Sequence, residues 1–233
     1  MGHLLEIKNL SKTFGATQAL RNVSLQIASG EIHALLGENG AGKSTLIKIL
    51  SGALPKDLGE ISFLNENYKP KSVKDAISMG ISAAFQEFSL LPNLTVAENM
   101  LLPYPTKNAL RLTSKKSAEK RTADILREFN TLDIKASQQI SKLSMAQKQR
   151  LETIKAIIKR PKLLILDEPT AALYDPEWLF DHVERFLSKN NRAVLFITHR
   201  LREARRLCKR FTVLQNGRHV ATDLFNDTTD KDL

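Results

Sequence analysis

The sequence predicts an α/β fold built on a parallel sheet, and three observations predict it. Short apolar runs alternate with amphipathic stretches of helical period through most of the chain, as in sheets whose parallel strands are joined by helices. A glycine-rich segment, Gly37 to Ser44, lies between one such run and a helix. Another run, Leu163 to Leu166, ends in two adjacent carboxylates, Asp167 and Glu168.

Taken in order, Leu4 to Leu10 alternates loosely and reads as a strand. Val23, Leu25 and Ile27 alternate cleanly and read as a second. Gly30-Glu31 reads as a hairpin turn into Ile32 to Leu36, an apolar run short enough for a strand buried on both faces. The glycine-rich segment follows, then a helix with Leu46, Ile49 and Leu50 on its apolar side, stopped by Gly52. Ile61 to Leu64 and Ile81 to Phe85 read as further strands. From Thr95 to Arg160 the pattern turns helical and charged, with helices over Thr113 to Phe129 and Ser144 to Ile158. The strand Leu163 to Leu166, a helix from Pro176, the strand Ala193 to Ile197, a helix over Leu201 to Lys209 and a hairpin at Asn216-Gly217 complete the chain. The division expected is a core of residues 1–94 and 161–233 with a helical insert over 95–160.

The 233 residues carry 42% hydrophobic and 26% charged side chains, an ordinary globular balance. No apolar run approaches the ~20 residues that cross a membrane as a helix. The opening residues lack the charged-then-apolar pattern of a signal peptide. A single cysteine, Cys208, excludes an intrachain disulfide framework and suits a reducing compartment. The net charge of +10 favours acidic partners, although the basic run over residues 111–121 reads more simply as a wet helix face.

Four places carry chemistry. Gly37-Glu38-Asn39-Gly40-Ala41-Gly42-Lys43-Ser44 matches G-x-x-x-x-G-K-[ST]. Glycines let backbone amides wrap a nucleotide's phosphates, and the following helix directs its positive end at them. Lys43 suits the β- and γ-phosphates, and Ser44 suits Mg²⁺. Asp167 suits the same cation, and Glu168 suits polarisation of an attacking water. Gln86, just after a strand, offers a neutral amide to Mg²⁺ or water. His199 follows another strand, where ligands bind in parallel sheets, within reach of a γ-phosphate.

The order of these parts resembles the nucleotide-binding subunits of ATP-binding cassette (ABC) transporters, from Leu4 to about Thr222. The resemblance implies a P-loop NTPase core with an N-terminal antiparallel β subdomain and a helical insert. It also implies ATP hydrolysis with Mg²⁺, and two cassettes closing head to tail. Phe14 would stack on adenine, and Thr45 would extend the phosphate loop. Ser144 and Gln147, in "LSMAQKQR", stand where that family has Leu-Ser-Gly-Gly-Gln, so they would serve the phosphate held by the partner cassette. The segment begins a helix, and Ser144 fits its N-cap. Met145 and Ala146 replace the two glycines, and Tyr174 stands where the family commonly has Asp.

"LSMAQKQRLETIKAI", "DEPTAALYDPE" and "AAFQEFSLLPNLTVAENM" look most like the first cassette of bacterial importers for ribose-, galactose- or xylose-type sugars. That implies a peripheral position on the cytoplasmic face of the inner membrane and contact with transmembrane permease subunits. Those would dock on the Gln86 loop and the insert, with Leu90, Leu91 and Leu94 as apolar contacts, and a sugar-binding protein would act indirectly. No nucleic acid is expected. The importers have two cassettes in one polypeptide, and Thr229 with Asp232 has capping-box spacing for a further helix, so a fragment of a longer chain is expected. Three other readings remain open at this point: a soluble cassette protein acting on ribosomes or nucleic acid, a transporter for another cargo, and a nucleotide sensor.

Overall fold

The computed structural model describes residues 3–101, 115–189 and 191–228. Two sheets organise them. Strands β1 (His3–Phe14), β2 (Thr17–Ala28), β4 (Leu58–Phe63) and β5 (Glu66–Asn67) form an antiparallel sheet in the order β2-β1-β4-β5. β1 runs four residues beyond the expected Leu10. Its alternation is loose because the register shifts between Ile7 and Leu10, where Asn9 takes φ 50°.

The second sheet has six strands in the order β10-β9-β3-β8-β7-β6. These are β3 (Ile32–Leu36), β6 (Ile81–Ala84), β7 (Leu163–Asp167), β8 (Ala193–Ile197), β9 (Arg210–Gln215) and β10 (Arg218–Leu224). All neighbours are parallel except β10, which returns from β9 through Asn216 and Gly217, with φ 49° and 74° as a tight hairpin requires. The Gly30-Glu31 turn is not the expected hairpin. It carries the chain from one sheet to the other, because β3 is wholly buried between β8 and β9 and its edges are taken by parallel partners.

Alternate residues of the parallel strands feed two cores. Leu163, Ile165, Leu195 and Ile197 pack with Leu46, Ile47 and Leu50 of α1 (Lys43–Leu50) and with Leu5, Ile7 and Ile27 of the antiparallel sheet. Leu164, Leu166, Val194 and Phe196 face the other way, onto Leu179, Phe180, Val183 and Phe186. The short α2 (Val73–Ser78), capped by Ser72 on the Asp75 amide, was not legible in the periodicity. Its six residues are too few to show a helical stripe.

The insert has its own apolar cluster, including Val96, Met100, Leu126, Phe129, Leu151 and Ile154. It comes from α3 (Val96–Leu101), α4 (Lys115–Glu128) and α5 (Met145–Ile157). The first two residues of the helix expected from Thr113, and the capping pair Thr229 and Asp232, lie outside the described residues. Leu90, expected at a docking surface, is instead 6% exposed within this cluster. The remaining helices are α6 (Glu177–Leu187) and α7 (Leu201–Leu207). Trp178 of α6 joins core to insert: its Nε1 donates to the Phe129 carbonyl at 2.9 Å. His182 is sandwiched between the Phe129 and Trp178 rings, with centroids 5.1 and 4.6 Å away.

Candidate active site

The candidate residues of the core sit at the carboxyl ends of β3, β6, β7 and β8, the edge where parallel sheets bind ligands. β3 leads into the glycine-rich loop. Gly37 passes so near β9 that a Cβ there would lie 2.3 Å from the Leu214 carbonyl oxygen. Gly42, at φ 101°, caps α1, and a Cβ would meet the Ala19 carbonyl at 2.6 Å. A side chain at either position would push the loop off the sheets that shape it.

Lys43 opens α1 and is 8% exposed. Its Nζ donates to the carbonyls of Gly37 and Glu38, at 2.6 and 2.9 Å, so the ammonium spans the loop that precedes it. Burial holds its pKa below the usual lysine range, and the negative charges of Glu168 and Asp167 oppose that shift.

A single cleft is lined by Asn39, Gly40, Ala41, Gly42, Lys43, Ser44 and Thr45, with Gln86, Asp167 and Glu168 on the facing side. Burial and the neighbouring Glu168 raise the Asp167 carboxyl to about 6, against Lys43 and the Gln86 backbone amide, which lower it. Glu168 has φ 48°, in the left-handed region, so the chain turns abruptly where β7 ends. His199 closes on it: Nδ1 lies 2.8 Å from the Glu168 carboxylate. His199 itself is more exposed than Glu168, with side-chain exposures of 63% and 10%. Gln86 is exposed at the cleft's edge. Among the described residues no group of three or more His, Cys, Asp and Glu stands ready to hold a metal ion by itself.

The other expected site residues lie elsewhere. Phe14 is 48% exposed at the β1–β2 turn, with the Lys12 ammonium 5.6 Å from its ring centroid, and does not line the cleft. Ser144 and Gln147 cap α5 reciprocally: Ser144 Oγ accepts from the Gln147 amide at 3.2 Å, and Gln147 Oε1 accepts from the Ser144 amide at 2.9 Å. Gln147 Nε2 also donates to the Asp133 carbonyl and carboxylate, at 3.0 and 3.1 Å. Neither residue lines the cleft that holds Lys43. Met145 beside them is 59% exposed. Sequence reasoning missed Ala19, which lines the cleft and sets the spacing behind Gly42. A small residue at a strand position gives no signal for that role.

A profile of the ABC transporter family matches residues 20–171. The ribose import ATP-binding protein RbsA of Yersinia pestis bv. Antiqua (strain Antiqua) is 41% identical over 221 residues, which are 94% of this chain and 43% of that protein. Its counterpart in Burkholderia mallei (strain ATCC 23344) is 42% identical over 224 residues, 95% of this chain and 44% of that protein. The chain therefore spans less than half the length of these relatives. Among solved structures, a nucleotide-free ATP-binding cassette from an ABC transporter superposes with TM-score 0.81 at 28% identity, covering 96% of this chain and 92% of that one. A dimeric ATP-binding cassette in a post-hydrolysis state, bound to ADP and Pi, also reaches 0.81, at 26% identity over 94% of this chain and 98% of that one. With the phosphate loop, the paired carboxylates and His199 gathered at one sheet edge and the family profile running through the first two, the chain belongs to the ABC transporter family.

Proposed function

We propose that this chain binds ATP with Mg²⁺ and hydrolyses it as one cassette of a sugar importer, paired head to tail with a second cassette. The observation that carries the reading is the convergence of Lys43, Asp167 and Glu168 on one cleft at the start of α1. The loop amides and Lys43 bind the β- and γ-phosphates, and the phosphate charge replaces the carbonyls that Lys43 now spans. Asp167 and Ser44 suit Mg²⁺, a hard cation usually held by one or two carboxylates together with phosphate oxygens. When bound, the cation would neutralise charge on the transferring phosphoryl group. Glu168 orients the attacking water and takes its proton, and His199 holds the Glu168 carboxylate in place.

Ser144 and Gln147 are read as serving the partner cassette's phosphate, and their separation from the Lys43 cleft supports this. Phe14 is read as the adenine platform, and its exposure leaves the ring face available. The similarity to ribose import ATP-binding proteins supports a monosaccharide as cargo and permease subunits as membrane partners. The docking surface is read as the Gln86 loop and the insert, where half-exposed Leu91 lines a second cleft together with Phe85 and Lys155. No helix among the described residues is long and apolar enough to cross a membrane, and the similarity to import ATP-binding proteins supports a peripheral position at the inner face beside those subunits.

The test is ATP binding and Mg²⁺-dependent turnover in the wild type and in Lys43→Ala. Loss of both in the variant is expected. Unchanged affinity and turnover would remove the reading.

A further inference from the structure

Beyond the His199 contact and the Glu168 amide's bond to the Ile197 carbonyl at 3.0 Å, the loops that carry Glu168 and His199 are joined once more, through side chains that do not line the cleft. Thr170 is 1% exposed, and its Oγ1 donates to Glu203 Oε2 at 2.5 Å. Glu203 stands in the first turn of α7. Its other oxygen, Oε1, accepts from the Arg200 guanidinium at 3.0 Å. The Arg200 amide in turn donates to Oγ1 of Thr198, a fully buried residue just after β8, at 3.0 Å. One carboxylate therefore ties the loop after β7 to the loop after β8. Thr170 lies two residues after Glu168, and Arg200 follows His199 directly.

This tie bears on catalysis because His199 is exposed. A side chain with 63% of its surface in solvent has several rotamers open to it, and packing alone does not select the one that meets Glu168. The 2.8 Å contact then depends on the spacing of the two backbones. We propose that Glu203, acting through Thr170 and Arg200, is a positioning residue for hydrolysis that holds the Glu168 and His199 loops in register. It touches neither nucleotide nor water. The inference rests on the hydrolytic reading above for its kinetic consequence, but the register itself is measurable without turnover.

The test compares Thr170→Val, which keeps the shape and removes the hydroxyl, with Thr170→Ser, which returns it, and with Glu203→Gln. In the full chain labelled with ¹⁵N-histidine, the His199 ring resonances should shift in Thr170→Val and Glu203→Gln and recover in Thr170→Ser. Unchanged His199 resonances in both variants would overturn the clamp, whether or not the protein turns over ATP. In the turnover assay, Thr170→Val should lower kcat about ten- to a hundred-fold, the scale of a small misplacement of a catalytic group. KM for ATP and the affinity for a fluorescent ATP analogue should stay within about two-fold. In a His199→Ala background the Thr170→Val change should add less than about two-fold, since the group it positions is gone. An equal loss in both backgrounds, or a loss of nucleotide affinity and melting temperature in step with kcat, would make the contact merely structural. A wild type without turnover would defeat the hydrolytic reading and leave the resonance comparison to decide the clamp.

Discussion

Nδ1 of His199 lies 2.8 Å from the Glu168 carboxylate, joining the ends of two neighbouring parallel strands across 31 residues of sequence. The contact gives the two residues different work. Glu168 is nearly buried, beside Lys43 and Asp167, where a water at a phosphate can reach it. In the hydrolytic reading proposed above, His199 orients that carboxylate from the solvent side. Glu168→Gln should therefore bind ATP with near-normal affinity and turn it over ~10²–10⁴-fold more slowly, the usual contribution of a positioned base. His199→Ala should slow turnover less, because Glu168 remains. Single-turnover hydrolysis beside a nucleotide-binding titration checks both. Near-normal turnover in Glu168→Gln would move the base elsewhere.

Lys159 supplies a pH test away from the nucleotide. It lines the second cleft, and burial together with the charge of Lys155 pushes its pKa down to about 8, against the pull of Glu152. A depressed lysine means that the unfolded chain holds the proton more tightly than the folded one. Stability from this group is therefore present above the unfolded pKa, and it is lost as pH falls from about 10.5 through about 8. Lys159→Met should stabilise the chain at pH 7 by on the order of 1–2 kcal/mol, and the gain should shrink as pH rises towards 10. Urea denaturation at pH 7 and 9.5 measures it. A gain that does not change with pH would assign the effect to packing.

The seam between core and insert should be sensitive at one indole. Trp178→Phe keeps a ring against His182 but leaves the Phe129 carbonyl without its donor, at a cost of about 1 kcal/mol. Trp178→Ala also removes the ring from the insert cluster and should cost about 3 kcal/mol or more. Equilibrium denaturation of the two variants would separate the terms, and equal small losses would show that the seam is not held there.

These contacts also mark how far the sequence could be read. Strands β3, β6, β7 and β8 were legible because they are short, mostly apolar and bounded by turn residues. The phosphate loop and the carboxylate pair were legible because their chemistry demands particular residues at fixed spacing. The strand order was not, since periodicity says nothing about which buried strand lies beside which. Gly30-Glu31 misled for the same reason: a turn between two strands looks alike whether they pair or part into two sheets. Leu90 misled because an apolar residue in a loop reads equally as a docking contact or as cover for the insert core. Thr170 and Glu203 gave no signal, because their pairing depends on two loops meeting in space.

The segment from Ser144 to Gln147 yields the last prediction. Its capping box uses the Ser144 hydroxyl and the Gln147 side-chain oxygen, and the Gln147 Nε2 is held by Asp133, so the helix start is already ordered before any phosphate arrives. Met145 is 59% exposed and supports little packing. Replacing Met145 and Ala146 with Gly should therefore change turnover only modestly, because easier backbone approach is opposed by up to about 1 kcal/mol of lost helix propensity at each position. Ser144→Arg should be far worse, since it removes the cap and sets a long side chain where the partner's γ-phosphate must approach. If the segment serves the partner, position matters more than number. Ser144→Arg and Lys43→Ala on the same chain of a mixed dimer spoil both sites: Lys43→Ala ruins the chain's own, and Ser144→Arg ruins its partner's. Placed on different chains, both changes fall on one shared site, and the other stays whole. Turnover should survive in the second arrangement at about half the wild-type level if the sites work independently, and vanish in the first. The reverse pattern, with turnover surviving only when both changes sit on one chain, would show that the segment acts within its own chain, and equal residual turnover would show that it does not act across the interface.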